Sequence, residues 1–153
     1  MDMKVVFEAK KKEMIFASAA HKKFYKEELK CTRKQDVYHQ ALCYCLGINK
    51  DTRDHIGEIY DFKTGYVNQD CLHEEWQTSE SQRVVRMAFN LYCNGIPGVY
   101  DIEDPEEQLK ECHCYTVEDL FRCAYAPFFW QAIQIRYPEY VTYHSGLYDW
   151  FEE

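Results

Sequence analysis

The sequence predicts a mainly α-helical protein, a compact single-domain bundle of about five to seven short helices with at most a small strand pair at the termini; an α+β fold is the alternative. The length of 153 residues suits one domain with its own core. A hydrophobic content of 46% and an aromatic content of 16% exclude a disordered chain. We expect residues 15–153 to form one globular domain and residues 1–14 a flexible basic arm.

Helix start signals recur along the first half of the chain. Ser18 is an N-cap for AAHKKFYKEELK, and Asp36 opens VYHQALCYCL, which Gly47 ends. Asn49 or Asp51 starts a third short helix. These signals predict three helices before residue 65.

The clearest helix begins at Thr78 or Ser79 and runs to about Cys93. Ser79 and Gln82 have the spacing of a capping box. Apolar residues then recur at intervals of three and four, which predicts a central helix: Val85, Ala88, Phe89 and Tyr92. On its polar face we expect Arg83 and Arg86, paired with Glu80.

Proline and capping residues organise the second half. Asp104 and Pro105 predict one helix start, Thr116 and Asp119 a second, and Pro127 a third that ends at Pro138. Beyond it, Val141 and Tyr143 alternate as in a short strand.

Charge is distributed unevenly along the chain. Residues 1–34 hold ten Lys and Arg against five Asp and Glu, whereas residues 101–119, the acidic segment, hold eight acids and one base. Such a segment does not favour nucleic-acid binding and suits a host protein with a basic surface, such as a nucleic-acid-binding effector. The predicted partner-binding residues are Asp101, Glu103, Asp104, Glu106, Glu107, Glu111, Glu118 and Asp119.

Trp76 is either an exposed aromatic anchor for a partner or a side chain packed on the helix that follows. The eight cysteines are expected to be reduced and mostly buried. No apolar run is long enough to span a membrane and no signal peptide is evident, so a cytoplasmic location is expected.

Cysteine and histidine occur together in two segments, both expected to be loops. Cys71 with His73, and Cys112 with Cys114, are the candidate metal ligands, but neither pair has the spacing usual for structural zinc. We therefore predict no metal, no other cofactor and no catalytic residue. A small Cys/His metal-binding module or enzyme remains an alternative.

A second alternative is a regulator that contacts DNA through the basic N-terminal third. The residues concerned are Lys10, Lys11, Lys12, Lys22, Lys23, Lys26, Lys30, Arg33 and Lys34.

Four stretches resemble an uncharacterised family of short acidic proteins from anaerobic gut bacteria, often encoded near mobile-element genes. They are DVYHQALCYCLGINKDTRDHI, IYDFKTG, CLHEEWQTSESQRVVRMAFNLY and YAPFFWQAIQIRYPEY. The resemblance implies a compact domain and no established reaction. Together with the acidic segment, it leads us to expect a non-enzymatic protein of a mobile element or phage that binds and inhibits a host immune nuclease, as anti-CRISPR proteins do.

Overall fold

The computed structural model describes residues 13–141, which form a single mainly α domain, as predicted. Residues 1–12 of the predicted arm, and Tyr143 of the predicted strand, lie outside the described residues. Nine α-helices occur in residues 13–141: α1 Ala19–Cys31, α2 Val37–Leu46, α3 Lys50–Asp54, α4 Ile56–Ile59, α5 Ser79–Cys93, α6 Pro105–Cys114, α7 Val117–Phe121, α8 Ala126–Arg136 and α9 Pro138–Val141. A 3-10 helix, Gln69–His73, precedes α5.

The centre of the domain is shared by two helices. α2 packs on α5, α8 and α1, and it is buried on nearly all sides because VYHQALCYCL has little polar surface. α5 is central, as its periodicity predicts, and every residue from 84 to 89 is buried. The only pairing of β type in residues 13–141 is an isolated antiparallel bridge between Tyr60 and Val67.

Most of the predicted caps are present. The side chains of Ser18, Asp36, Asn49, Asp104 and Thr116 each accept a hydrogen bond from a backbone N–H in the first turn of the helix that follows. These contacts are local, so the sequence alone predicts them.

The predicted capping box of α5 is wrong by one residue. Thr78 is the N-cap: its Oγ1 accepts from Ser81 N at 3.1 Å, and Ser81 Oγ accepts from Thr78 N at 2.7 Å. Gln82 instead donates to the carbonyl of Leu72 at 2.9 Å, because its longer side chain reaches back to the 3-10 helix. The N-terminus of α5 is thereby tied to the segment before it.

Candidate functional site

The candidate site is the acidic segment, which is built on α6, α7 and the loop before them. Asp104 caps α6 by accepting from Glu107 N at 3.2 Å, and Pro105 occupies the first turn. Acidic side chains are favoured in that turn because they face the positive end of the helix dipole. The inner face of α6 is anchored by Gln108, which donates to Val99 O at 3.2 Å.

Six of the eight predicted acids are exposed, and these six define the acidic surface: Asp101, Glu103, Asp104, Glu106, Glu107 and Glu118. Two of them have cationic neighbours three or four residues further along the chain. Lys110 Nζ lies 3.2 Å from Glu107 Oε1, and Arg122 pairs with Glu118. Both pairs are exposed to solvent and therefore weak. The other four acids have no cationic partner in residues 13–141, so the surface keeps most of its negative charge.

Glu111 is a correction to the prediction, because it is buried and cannot contribute to that surface. Its two carboxylate oxygens accept from Arg86 Nε at 2.9 Å and Arg86 Nη2 at 3.0 Å. Arg86 is likewise buried, so its predicted place on the polar face of α5, paired with Glu80, is also wrong. The pair joins α5 to α6 and fixes the inner side of the acidic segment.

A second arginine of α5 holds the next helix in place. Arg83 Nε donates to the backbone carbonyl of Asp119 at 3.0 Å, and Asp119 is half-buried there. Arg83 and Arg86 therefore both reach across from the core helix to the acidic segment. Sequence reasoning missed these contacts because they join residues 36 and 25 positions apart.

Large apolar side chains are exposed within the same segment. Leu109 is 60% exposed and Val117 is 72% exposed, and Tyr100 just before the segment is 83% exposed. On α6, Leu109 lies three residues after Glu106, so the two side chains are neighbours on the outer face. Apolar contacts surrounded by polar and charged groups are typical of protein-binding surfaces.

The profile of a family described as Family of unknown function (DUF6075) matches residues 11–149. The chain belongs to this family. The matched region of the DUF6075 protein includes all nine helices and the whole acidic segment. Comparisons with curated proteins and with solved structures found no match. No helix in residues 13–141 has both the length and the apolar character needed to cross a membrane.

Trp76 packs against the core and is not an exposed aromatic anchor. Its side chain is half-buried against the core, and its ring stacks on His55 with ring centroids 4.3 Å apart and an angle of 4° between the planes. Its Nε1 is buried without a hydrogen-bond partner among residues 13–141. The packed alternative therefore holds, and Trp76 is not part of the acidic surface.

The cysteine and histidine residues of the two predicted loops lie in helices. Cys71 is fully buried in the 3-10 helix, and burial raises the pKa of its thiol to about 12, whereas His73 is exposed. Cys112 and Cys114 end α6. In residues 13–141 no three His, Cys, Asp or Glu side chains are grouped as metal ligands. All eight thiols are free, but only Cys43, Cys45 and Cys71 are buried, so the expectation of mostly buried cysteines is wrong.

Proposed function

We propose that this DUF6075 protein is a non-enzymatic inhibitor that docks its acidic surface on the basic surface of a host protein. The partner class we propose is a host immune nuclease, which would make the protein an anti-CRISPR type of inhibitor encoded by a mobile element or phage. The observation that supports the proposal is a negative surface on which four of the six exposed acids have no cationic partner in residues 13–141, in the same segment as exposed Leu109 and Val117.

Electrostatics explains why a nuclease is a suitable partner. Guide-directed nucleases hold nucleic acid in positively charged channels, and they contact its backbone. An acidic protein surface is attracted to such a channel and competes with the phosphates for the same cations. Leu109 and Val117 add apolar contact area, which nucleic-acid phosphates do not offer.

Contacts from the core helix α5 hold the acidic surface rigid, which favours binding to a partner. The buried Arg86–Glu111 pair and the bond from Arg83 hold α6 and α7 in place before any partner arrives. A pre-organised surface loses less conformational entropy on binding than a flexible acidic tail does.

A charge-reversal experiment tests the proposal. The variant Glu103→Lys/Glu106→Lys changes two unpaired acids of the surface, and Glu74→Lys/Glu75→Lys makes the same change at two exposed acids outside it. Cleavage of target DNA by a panel of purified guide-directed nucleases is measured with each protein. We expect the wild-type protein and the control variant to inhibit at least one nuclease, and the surface variant to inhibit it at least tenfold less. Inhibition of none of the nucleases, or equal inhibition by both variants, would contradict the proposal.

One specific observation favours a second function, DNA contact through α1. Lys22, Lys23, Lys26 and Lys30 are all exposed, and their spacing of three and four places them on one face of the helix. Binding of duplex DNA by the purified protein, with an affinity that falls steeply as salt rises, would support this function. Loss of that binding in Lys22→Gln/Lys26→Gln would assign it to α1.

A further inference from the structure

A cavity of about 410 Å³ lies away from the acidic surface, where the turn between α1 and α2 meets the turn at residues 63–65. Its walls include Arg33, Lys34, Asp36, His39, Thr64 and Tyr92. The volume is within the range of sites that bind small molecules. None of these residues belongs to the acidic segment, so a ligand here is independent of the proposed inhibitor function.

The cavity has an excess of positive charge. Arg33 and Lys34 are exposed at its wall, and neither forms an ion pair with an acid of residues 13–141. Arg33 Nη1 makes one long hydrogen bond, 3.4 Å, to the carbonyl of Thr64. Two cations with so few internal partners are available to a ligand.

The single acid that lines the cavity already has its partners. Asp36 Oδ1 accepts from the backbone N of His39 at 3.0 Å and lies 2.6 Å from His39 Nδ1. Asp36 is thus engaged as the N-cap of α2 and as the partner of an imidazole. Lys34 attracts the Asp36 carboxylate through space, but the two form no ion pair, and the cavity keeps two cations against one acid.

His39 has one ring nitrogen left for a ligand. The residue is only 8% exposed, and its Nδ1 is bonded to Asp36. Nε2 has no hydrogen bond to any residue in 13–141. The ring is held edge-on against Tyr92 with centroids 5.2 Å apart, and Tyr92 in turn donates to Gly65 O at 2.6 Å. The imidazole is therefore held in one orientation, and no residue in 13–141 bonds to Nε2.

We propose that this cavity binds a small organic phosphate, with Arg33 and Lys34 contacting the phosphate oxygens. His39 Nδ1 donates to Asp36, so Nε2 accepts a hydrogen bond from a hydroxyl or amino group of the organic portion. Arginine provides parallel N–H donors that match phosphate oxygens, and lysine adds a point charge. The cavity is larger than a phosphate ion requires, so the organic portion of the ligand occupies the remaining volume beside Tyr92.

The test measures binding of two probes, adenosine 5′-monophosphate and inorganic phosphate, by calorimetry and by NMR of the histidine side chains. The variant Arg33→Gln/Lys34→Gln removes the two cavity cations. Lys50→Gln/Lys110→Gln is the matched control, since it removes two exposed positive charges that do not line the cavity. Circular dichroism confirms that both variants are folded, which their surface positions lead us to expect.

We expect saturable binding of adenosine monophosphate that is at least tenfold tighter than binding of phosphate, with a shift of the His39 Nε2 resonance. Affinity should fall at least tenfold in Arg33→Gln/Lys34→Gln and change less than twofold in the control. The cavity assignment is wrong if neither probe binds saturably, or if both variants lose affinity equally. Equal affinity for the two probes would overturn the organic phosphate as the ligand.

Discussion

His21 shows how a single polar residue becomes part of the core. It is fully buried, its Nδ1 accepts from Ala17 N at 3.0 Å, and its Nε2 lies 2.7 Å from Tyr44 O. A backbone N–H can only donate, so Nδ1 must be unprotonated and Nε2 must carry the proton. Burial lowers the pKa of His21 to about 4, even though the bond to Tyr44 O raises it; Arg53 lowers it further.

The lowered pKa of His21 predicts that the folded protein loses stability in mild acid. Unfolded His21 titrates near 6.5, so between pH 6.5 and pH 4 the unfolded state binds more protons than the folded state. The free energy of unfolding is therefore unaffected by His21 above pH 6.5. It falls as the pH drops below that value, by up to about 3 kcal/mol for a pKa shift of this size. Urea unfolding from pH 7.5 to pH 4 measures it. The variant His21→Gln should show a flatter pH dependence, and equal slopes for the two proteins would refute the assignment.

Gly47 follows the end of α2 and lies close to two side chains of α1. A Cβ atom at this position would lie 2.7 Å from His21 Cδ2 and 3.0 Å from Phe24 Cδ1. We expect Gly47→Ala to lower the free energy of unfolding by about 1–3 kcal/mol, since the well-packed neighbours must move. Gly57→Ala is the control, because no atom lies within 4 Å of its added Cβ. Chemical denaturation that finds the two variants equally stable would contradict this account.

At the scale of elements, α5 connects the core to the acidic segment through the Arg86–Glu111 pair. Each partner is nearly buried, and the two parallel hydrogen bonds neutralise both charges. A buried charge that loses its partner is far more costly than an intact pair, because it has lost its hydration without compensation. The pair therefore determines where α6 sits, whatever its net contribution to stability.

Removal of one member of the pair should be strongly destabilising. We expect Arg86→Met to lower the free energy of unfolding by about 3–5 kcal/mol, and Arg86→Met/Glu111→Leu to recover a large part of that loss. Lys110→Met, which removes the exposed partner of Glu107, should cost less than about 1 kcal/mol. Denaturant titrations of these variants measure all three changes. A double variant no more stable than Arg86→Met would argue against a coupled pair.

Helix caps were predictable from the sequence, whereas contacts between residues distant in sequence were not. Caps such as Ser18, Asp36 and Asp104 were predictable because each acts on a backbone N–H three residues away. The burial of Glu111 was not predictable, since its partner is 25 residues distant and nothing in the spacing connects them. The cavity proposed to bind phosphate was hidden for the same reason, since its walls come from residues 33–39, 64–65 and 92, which are distant in sequence and adjacent only in the folded chain.

At the scale of the whole molecule, the largest positive and negative clusters lie on different helices. The lysines of α1 are exposed on one face, whereas the acidic surface is on α6, α7 and the loop before them. With a net charge of −8, the protein repels phosphate backbones overall and attracts cationic partners. In the proposed inhibitor function, the acidic surface steers the encounter with a basic partner, while Leu109 and Val117 set how long the complex lasts.

This division of roles predicts different kinetics for two kinds of variant. Leu109→Ser/Val117→Ser removes exposed apolar contacts, so the free energy of unfolding should change by no more than about 0.5 kcal/mol at each site. We expect that variant to dissociate from an inhibited nuclease at least tenfold faster, with nearly unchanged association. Glu103→Lys/Glu106→Lys should instead associate more slowly and lose much of its salt dependence. Surface plasmon resonance at low and at physiological salt separates the two rates. If the serine variant slowed association or left dissociation unchanged, Leu109 and Val117 would not be the contacts that retain the partner.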